Sequence, residues 1–476
     1  MLYNFIRMEK KAKIIATLGP AIYNEKKLRK IINLGVDAFR INFSHDTKKI
    51  IKIVNIIRKL ERKSNKKLAL IGDLQGIKFR IGKFKSNSIK INFKEKIIFE
   101  NKNIISRNKK IPLLHSEIYK NIKKGNMILI DDGKYLFRVI KKKKKSIFTQ
   151  CESKNCILYS NKSVHVPGIK VSLNTLTKKD KKDIQFAKKI GCNWIALSYL
   201  QNSKIIKSTR KIINSDMGII AKIENSMAVK NIDDIIDKSD ALMIARGDLA
   251  MDVGHSDVPN VQLDIIKKCA KAFKPVIVAT QMLESMIENL SPTRAEINDI
   301  ATAIFQGADA VMLSAESAIG KNPIQSVKTM SNTILSTEKY KRKHIEDFKS
   351  KINLQKDAMK SMVLSIKDLA YNPQVKCIIA FSNSGKTAKI VSSMRPAVRI
   401  ITISPKINIS RSISLFWGVK SINSKDAKNW KEMMKISKEI IKKEKFINRG
   451  DLVIITAGLP FGKAKMTNMI RLYEVN

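Results

Sequence analysis

The chain has 476 residues, 44% of them hydrophobic, and a formal net charge of +51 at pH 7. At ~150 residues per domain that length suggests about three domains, and the apolar fraction sets aside a disordered chain despite the charge. No window approaches the ~18 uninterrupted apolar residues of a membrane-spanning helix, so no membrane role is expected.

Short apolar runs alternate with amphipathic stretches along most of the chain. The runs at 12–18, 36–41, 68–73, 193–198, 218–223, 241–246, 275–280 and 309–314 read as eight strands. Helical patterns fall at 25–33, 47–63, 178–190, 203–213, 228–237, 260–273 and 293–306. The last opens S-P-T-R-A-E, with Pro292 in its first turn and a Thr293-x-x-Glu296 capping box. Eight β/α units predict a closed parallel (β/α)8 TIM barrel, whose active site lies at the C-terminal ends of its strands. The alternation is interrupted once. Residues 78–174 lack a helical period and carry alternating stretches with a candidate hairpin turn at Asp132-Gly133, which reads as an inserted β domain. After about residue 340 a further α/β pattern follows, with strands near 376–381, 398–403 and 451–456.

Two compositional features are set aside as functional signals. Lysine is spread through nearly every segment, and the one dense run, Lys141 to Lys145, holds no aromatic residue. A dedicated nucleic-acid binder would concentrate its charge with stacking aromatics between, so the charge reads as compositional bias. Residues 1–13 show no signal-peptide pattern. The five cysteines, Cys151, Cys156, Cys192, Cys269 and Cys377, lack metal-ligand spacing and suit reduced thiols in a cytoplasmic protein.

What ends each barrel strand is more specific. Strand two runs into R-I-N-F-S-H, strand five into A-K-I-E-N and strand six into A-R-G-D-L. Strand side chains alternate with period two, so Lys222 should face with Glu224, and Arg246 with Asp248 if the extended geometry persists. Thr280 ends strand seven, and Ser314 with Glu316 ends strand eight. Glu224 and Asp248 are hard oxygen ligands suited to magnesium. Lys222 and Arg40 supply fixed positive charge for a transferring phosphoryl group, and Gly247 allows close approach to the backbone. The residues alone point to metal-assisted work on a small phosphorylated anion.

The segments R-I-N-F-S-H, A-K-I-E-N, A-R-G-D-L-A, A-T-Q-M-L-E-S-M, P-T-R-A-E and V-M-L-S-A-E-S-A together resemble pyruvate kinase, in that family's order and across nearly the whole chain. The resemblance implies barrel parts at 1–77 and 175–340, an inserted β-barrel lid at 78–174, a C-terminal regulatory domain at 341–476, and a homotetramer. It implies phosphoryl transfer from phosphoenolpyruvate to ADP, giving pyruvate and ATP, with Lys222 stabilising the transition state. Glu224 and Asp248 match the magnesium ligands, with manganese as the substitute metal. Arg40, Gly247 and Thr280, with Lys222 and Asp248, match phosphoenolpyruvate contacts, and Thr280 with ordered water is the candidate proton donor to the enolate. Arg80 and Lys162 match nucleotide-phosphate contacts, and Asn42, Ser44 and His45 match the segment beside nucleotide and monovalent cation.

The cation site departs from the potassium-dependent pattern. Asp73 is kept in G-D-L-Q-G-I-K-F-R, but Leu74, Gln75 and Lys78 stand where many members carry Thr, Lys and Glu. The Lys78 ammonium is expected to supply the charge potassium otherwise provides. Asp46, Ile77, Asn174 and Ala250 are smaller departures that remove no catalytic group. In the C-terminal domain S-N-S-G-K-T, comprising Ser382, Asn383, Ser384, Gly385, Lys386 and Thr387, falls one glycine short of a P-loop because Ala380 stands at the first position. The matching family loop holds the phosphate of a sugar-phosphate activator. Two other readings remain open at this stage: another magnesium barrel acting on pyruvate-like enolates, such as an aldolase or lyase, and a basic RNA-binding relic on an inactive barrel.

Overall fold

The computed structural model describes residues 10–43, 47–64, 66–106, 109–169, 176–344, 358–460 and 467–476. Eight parallel strands close into a barrel in chain order: Lys13–Thr17, Val36–Asn42, Ala69–Asp73, Trp194–Leu197, Gly218–Ile223, Ala241–Ala245, Val276–Ala279 and Ala310–Leu313. They are called strands one to eight below. All eight were anticipated to within a residue or two. Both faces of such strands are covered, which is why they read as continuous apolar runs.

Alternate residues divide between two cores. Ile14, Phe39, Ile41, Leu70, Ile195 and Ile219 face outward and pack with helix residues such as Leu28, Ile31, Ile53 and Ile57. Ile15, Ala38, Ile71, Ala196, Ile220, Met243 and Met312 fill the lumen. Trp194 plugs the lower lumen, and a Cβ at position 218 would meet its ring at 2.4 Å, so only glycine fits there. The Trp194 indole N–H donates to the Ser412 carbonyl at 3.2 Å, and its ring meets Phe416 edge-on at 6.2 Å. The barrel lumen thus continues into the C-terminal core.

Differences from the sequence reading are local. The helix expected at 228–237 is two short ones, Ser226–Lys230 and Ile232–Lys238. The capping box at Thr293 and Glu296 is formed, but Pro292 lies just before the cap instead of in the first turn. The inserted segment holds a six-stranded, largely antiparallel sheet and a two-stranded ribbon around its own core, in which Phe99 and Phe137 meet at 5.7 Å. It also contains a short helix, Ser116–Asn121, too brief to show a period in sequence. The Asp132-Gly133 turn closes the hairpin between Met127–Ile130 and Tyr135–Lys143, and residues 131–133 all have positive φ. The C-terminal sheet has five strands, Val375–Phe381, Arg399–Ser404, Val419–Asn423, Leu452–Ala457 and Met469–Glu474, of which the third and fifth were not anticipated. Among the described residues no helix is long and apolar enough to cross a membrane.

Candidate active site

The barrel mouth extends the inward register of the strands by one or two residues. Ala38 leads to Arg40 and Asn42, Ile71 to Asp73, Ala196 to Ser198, and Ile220 to Lys222 and Glu224. Lys222 lies at the centre, its side chain 11% exposed. Its Nζ is 2.8 Å from Glu224 Oε1, 3.4 Å from Asp73 Oδ1 and 2.7 Å from Ser198 Oγ. Arg40 Nε donates to Asp73 Oδ2 at 2.6 Å, and its Nη1 to Thr17 Oγ1 at 3.3 Å. Burial alone would strip the Lys222 ammonium of its proton, but Asp73 and Glu224 reverse the balance and hold its pKa above the usual lysine range. Burial likewise pushes Asp73 up, yet Lys222 and Arg40 outweigh it and keep the carboxyl below its ordinary range. Glu224 goes the other way: burial raises it, Lys222 opposes, and the nearby Asp248 charge adds to the rise.

Strand six behaves differently from strand five. Its extended geometry stops at Ala245 and a helix, Arg246–Val253, begins at once. Arg246 and Asp248 therefore do not face the same way, contrary to the period-two expectation. Arg246 turns to Asp299, at 2.7 Å, and donates to the Thr280 carbonyl at 2.8 Å and the Gln281 carbonyl at 3.0 Å. It anchors a loop in which Thr280 and Gln281 hold left-handed φ of 68° and 54°. That turn aims Thr280 at the mouth, where its Oγ1 accepts from the Gly247 N–H at 2.9 Å and donates to the Ala279 carbonyl at 2.6 Å. Nothing but Thr280 stands near the open side of Gly247.

Tyr199 escaped the sequence reading. Its backbone N–H donates to Glu224 Oε2 at 2.5 Å and its hydroxyl to Asp248 Oδ1 at 3.0 Å, so one residue touches both carboxylates. Burial, then the charges of Glu224 and Asp248, drive its pKa far up, and it stays a donor. The only signal would have been its place just after the inward Ser198. Glu316 is buried too, but accepts from the Ser314 and Leu283 N–H groups at 2.7 and 3.2 Å, which makes it a loop clamp.

The inserted domain faces this mouth. Lys78 Nζ stands 3.9 Å from Asp248 and 3.8 Å from Asp132, while Leu74 is buried. Arg80 Nη1 donates to the Asn161 carbonyl at 2.8 Å, and Lys162 pairs with Asp131 at 2.7 Å, so these two stand on the insertion away from the carboxylates. Asp252 ties the insertion's return to the barrel: it accepts from the Gly168 N–H at 2.8 Å and lies 3.0 Å from His165 Nε2. Burial raises Asp252, but these bonds and that from Ser226 bring it to about 2. Lys78, Asp132, His165, Tyr199, Asp248 and Met251 line the cleft between the two. Asn42 is half-buried at the end of strand two; Ser44, His45, Asp46 and Asn174 lie outside the described residues.

Far from this cleft, the Ser382-to-Thr387 loop links Val375–Phe381 to the helix Lys386–Ser393, with Gly385 at φ 81° as its cap. The Ser382 N–H donates to the Ile403 carbonyl at 2.9 Å, Asn383 reaches Asp426 at 3.2 Å, and buried Thr387 meets Thr467 at 2.8 Å. Ser384 and Lys386 are exposed.

Glu224 and Asp248 are the residues that could hold a divalent cation. Two carboxylates close enough to raise each other's cost of ionisation leave a gap in charge that a cation fills. A pair of carboxylates, with the remaining positions left to water and substrate, suits magnesium better than zinc or calcium.

Barrel, carboxylate pair and fixed cations together define a phosphoryl-transfer enzyme of the (β/α)8 class. Comparison with known proteins narrows this. Residues 9–327 match the family model "Pyruvate kinase, barrel domain", and residues 360–473 match "Pyruvate kinase, alpha/beta domain". A pyruvate kinase of Agrobacterium vitis is 36% identical over 99% of this chain and 98% of its own length, and one of Sporosarcina psychrophila is 34% identical over 98% and 80%. A crystal structure of a pyruvate kinase from Cryptosporidium parvum superposes with a TM-score of 0.91 at 29% identity, covering 98% of this chain and 96% of that one. The chain belongs to the pyruvate kinase family, phosphotransferases that pass the phosphoryl group of phosphoenolpyruvate to ADP.

Proposed function

We propose that the barrel mouth carries out this transfer with Lys222, Arg40, Thr280, Glu224 and Asp248 as its working groups. The observation that carries the assignment is the buried Lys222 ammonium, kept charged between Asp73 and Glu224 on the rim it shares with Arg40. The P–O bond to the enol oxygen breaks as the ADP β-phosphate oxygen bonds to phosphorus, and the enolate left behind takes a proton at carbon to become pyruvate. Lys222 and Arg40 face the charge that develops on the phosphoryl oxygens, and they are preorganised by Asp73, so no reorganisation is needed at the moment of reaction. The Gly247 N–H and Thr280 hydroxyl hydrogen-bond the bound phosphoenolpyruvate, and Thr280 passes a proton to the enolate through water. Magnesium, or manganese in its place, held by Glu224 and Asp248 supplies charge neutralisation on the transferring group. Arg80 and Lys162 meet the nucleotide phosphates when the inserted domain closes, with Asn42, Ser44 and His45 beside them.

A lactate-dehydrogenase-coupled assay of the purified chain tests this reading. Pyruvate should form from phosphoenolpyruvate only when ADP and magnesium are both present. Pyruvate formation independent of ADP would favour an aldolase- or lyase-type barrel, and salt-sensitive RNA binding without turnover would favour the relic.

Potassium is dispensable in this proposal. The Lys78 ammonium beside Asp248, with an apolar Leu74 where a cation would need oxygen, supports that reading. In a tetramethylammonium buffer, added potassium should change the rate little; strong activation would refute it. The boundaries 1–77, 78–174, 175–340 and 341–476, a homotetramer and a cytoplasmic location complete the proposal. A phosphorylated sugar acting at Ser382 to Thr387 should activate at subsaturating phosphoenolpyruvate; flat responses to fructose bisphosphate and ribose 5-phosphate would count against that site.

A further inference from the structure

At the opposite end of the barrel, a cavity of about 650 Å³ opens between the N-terminal ends of the strands and the C-terminal domain. That volume is typical of a small-molecule pocket. The barrel wall contributes Lys10, Lys13, Lys66, Lys67 and Asp37, and the C-terminal wall Ser421. Asp37 is the one acid among them: Lys10 pairs with it, Lys66 lies 3.2 Å away and Lys13 4.0 Å. Lys67 has no carboxylate partner among the described residues. Lys420, on the same wall, is already neutralised by Glu444 at 2.6 Å. Four ammonium groups therefore face one carboxylate.

Compositional bias explains exposed lysines, not these. The side chains of Lys10 and Lys13 are each only 7% exposed, and burying a cation without full compensation is costly. Burial holds the Lys10 pKa down to about 8 even with Asp37 beside it, and Lys66 and Lys13 add to the fall. A second observation is independent of charge. The Ser421 hydroxyl is buried, lines the cavity and has no hydrogen-bond partner, which buried polar groups rarely tolerate. Excess positive charge with an unused hydroxyl, in a pocket of ligand size, is what an oxyanion site requires.

We propose that this interdomain cavity binds a small phosphate-bearing anion, held by Lys10, Lys66, Lys67 and the Ser421 hydroxyl. The site shares no residue with the barrel mouth or the Ser382-to-Thr387 loop and does not depend on either assignment. Because its walls come from two domains, an occupant stiffens the seam; Lys13 already crosses it, donating to the Val419 carbonyl at 2.7 Å.

Lysine footprinting of the full-length protein with an amine acylating reagent, read peptide by peptide, tests the proposal. The probes are inorganic phosphate, ribose 5-phosphate, glycine, and chloride at matched ionic strength. At ten times its dissociation constant, phosphate or its ester should slow acylation of Lys66 and Lys67 by about tenfold while Lys141 to Lys145 react as before. Protection by phosphate alone assigns the free anion, and protection by the ester as well assigns a phosphorylated metabolite; either supports the site. Lys67→Ala and Ser421→Val should each weaken protection of Lys66 and leave the coupled-assay rate unchanged. Equal protection by chloride, protection by glycine but not phosphate, or protection that survives both substitutions would overturn it.

Discussion

The two ends of the barrel bury charge in opposite ways. At the mouth, Lys78, Arg40 and Lys222 stand against Asp73, Glu224 and Asp248, and the cations and acids alternate within one cluster. At the floor each acid is surrounded by cations: Asp37 by Lys10, Lys13 and Lys66, and Glu61 by Arg58 and Arg411. Strand two carries both patterns within seven residues, with Asp37 at one end and Arg40 at the other. A balanced cluster open to a cleft can exchange partners when substrate and metal arrive. A cation-rich seam roofed by another domain has its partners fixed, and its role is to hold the domains together. The lesson is that a buried ion pair is no mark of catalysis until its surroundings are known.

Removing the central cation of the mouth should have the largest effect. Lys222→Met is expected to lower kcat by about a thousandfold, as loss of a preorganised transition-state charge does, with a smaller change in KM for phosphoenolpyruvate. Steady-state kinetics beside a circular dichroism melt separate this from unfolding. A kcat within a few-fold of the parent would remove Lys222 from the chemistry.

The floor should respond in stability instead. Glu61 has a side chain 1% exposed and accepts from Arg411 Nε at 3.0 Å on both oxygens and from Arg58 at 3.0 Å. Glu61→Gln leaves two buried guanidinium groups without their acid and should cost about 3–5 kcal/mol. The thermal midpoint should fall by several degrees while kcat of the folded protein holds. A kcat that collapses in step with a mouth mutant would erase the distinction between the ends.

The mouth was far easier to read from sequence than the floor. Lys222 with Glu224, and Arg40 with Asn42, follow from period-two alternation at strand ends, and their motifs are short and contiguous. Arg246 was misjudged because nothing in A-R-G-D-L announces that the strand ends at Ala245 and a helix begins at once. Tyr199 was missed because an aromatic residue after a strand looks like core, and its hydroxyl gains meaning only through Asp248, 49 residues on. The floor was illegible for a plainer reason. Glu61 and Arg411 are 350 residues apart, and in a chain with 92 lysines and arginines no single basic residue stands out.

Tyr199 offers a finer test of the mouth. Its hydroxyl orients one carboxylate while its N–H holds the other, a supporting role whose loss typically weakens metal binding about tenfold or more. Tyr199→Phe should raise the dissociation constant for manganese, measured by electron paramagnetic resonance of the free ion without substrate, by about that factor. High manganese should then restore most of kcat. Unchanged manganese affinity would leave Tyr199 as packing alone.

The smallest effect probes the cation excess of the seam through pH. Lys389, half-buried on the helix Lys386–Ser393, faces the barrel-floor residues Lys274, Asp240 and Arg210. Burial, then the like charge of Lys274, lowers its pKa from 10.5 to about 8, and the opposing pull of Asp240 does not restore it. Asp240 is already taken by Arg210 at 2.7 Å. Below pH 8 the lysine is protonated whether the chain is folded or not, so the native state carries the full penalty of the buried charge. Between about 8 and 10.5 the unfolded chain keeps a proton that the folded chain has lost, and stability contributed at this position rises with pH. Lys389→Met should therefore stabilise the protein at pH 7 by about 1 kcal/mol, a figure discounted for the solvent that still reaches the ammonium. The gain should shrink as pH climbs through that window and vanish above it. Thermal midpoints of parent and variant across this range give the gap directly. If it stays constant with pH, the change reflects packing, and the excess of positive charge at the seam does not extend to this helix.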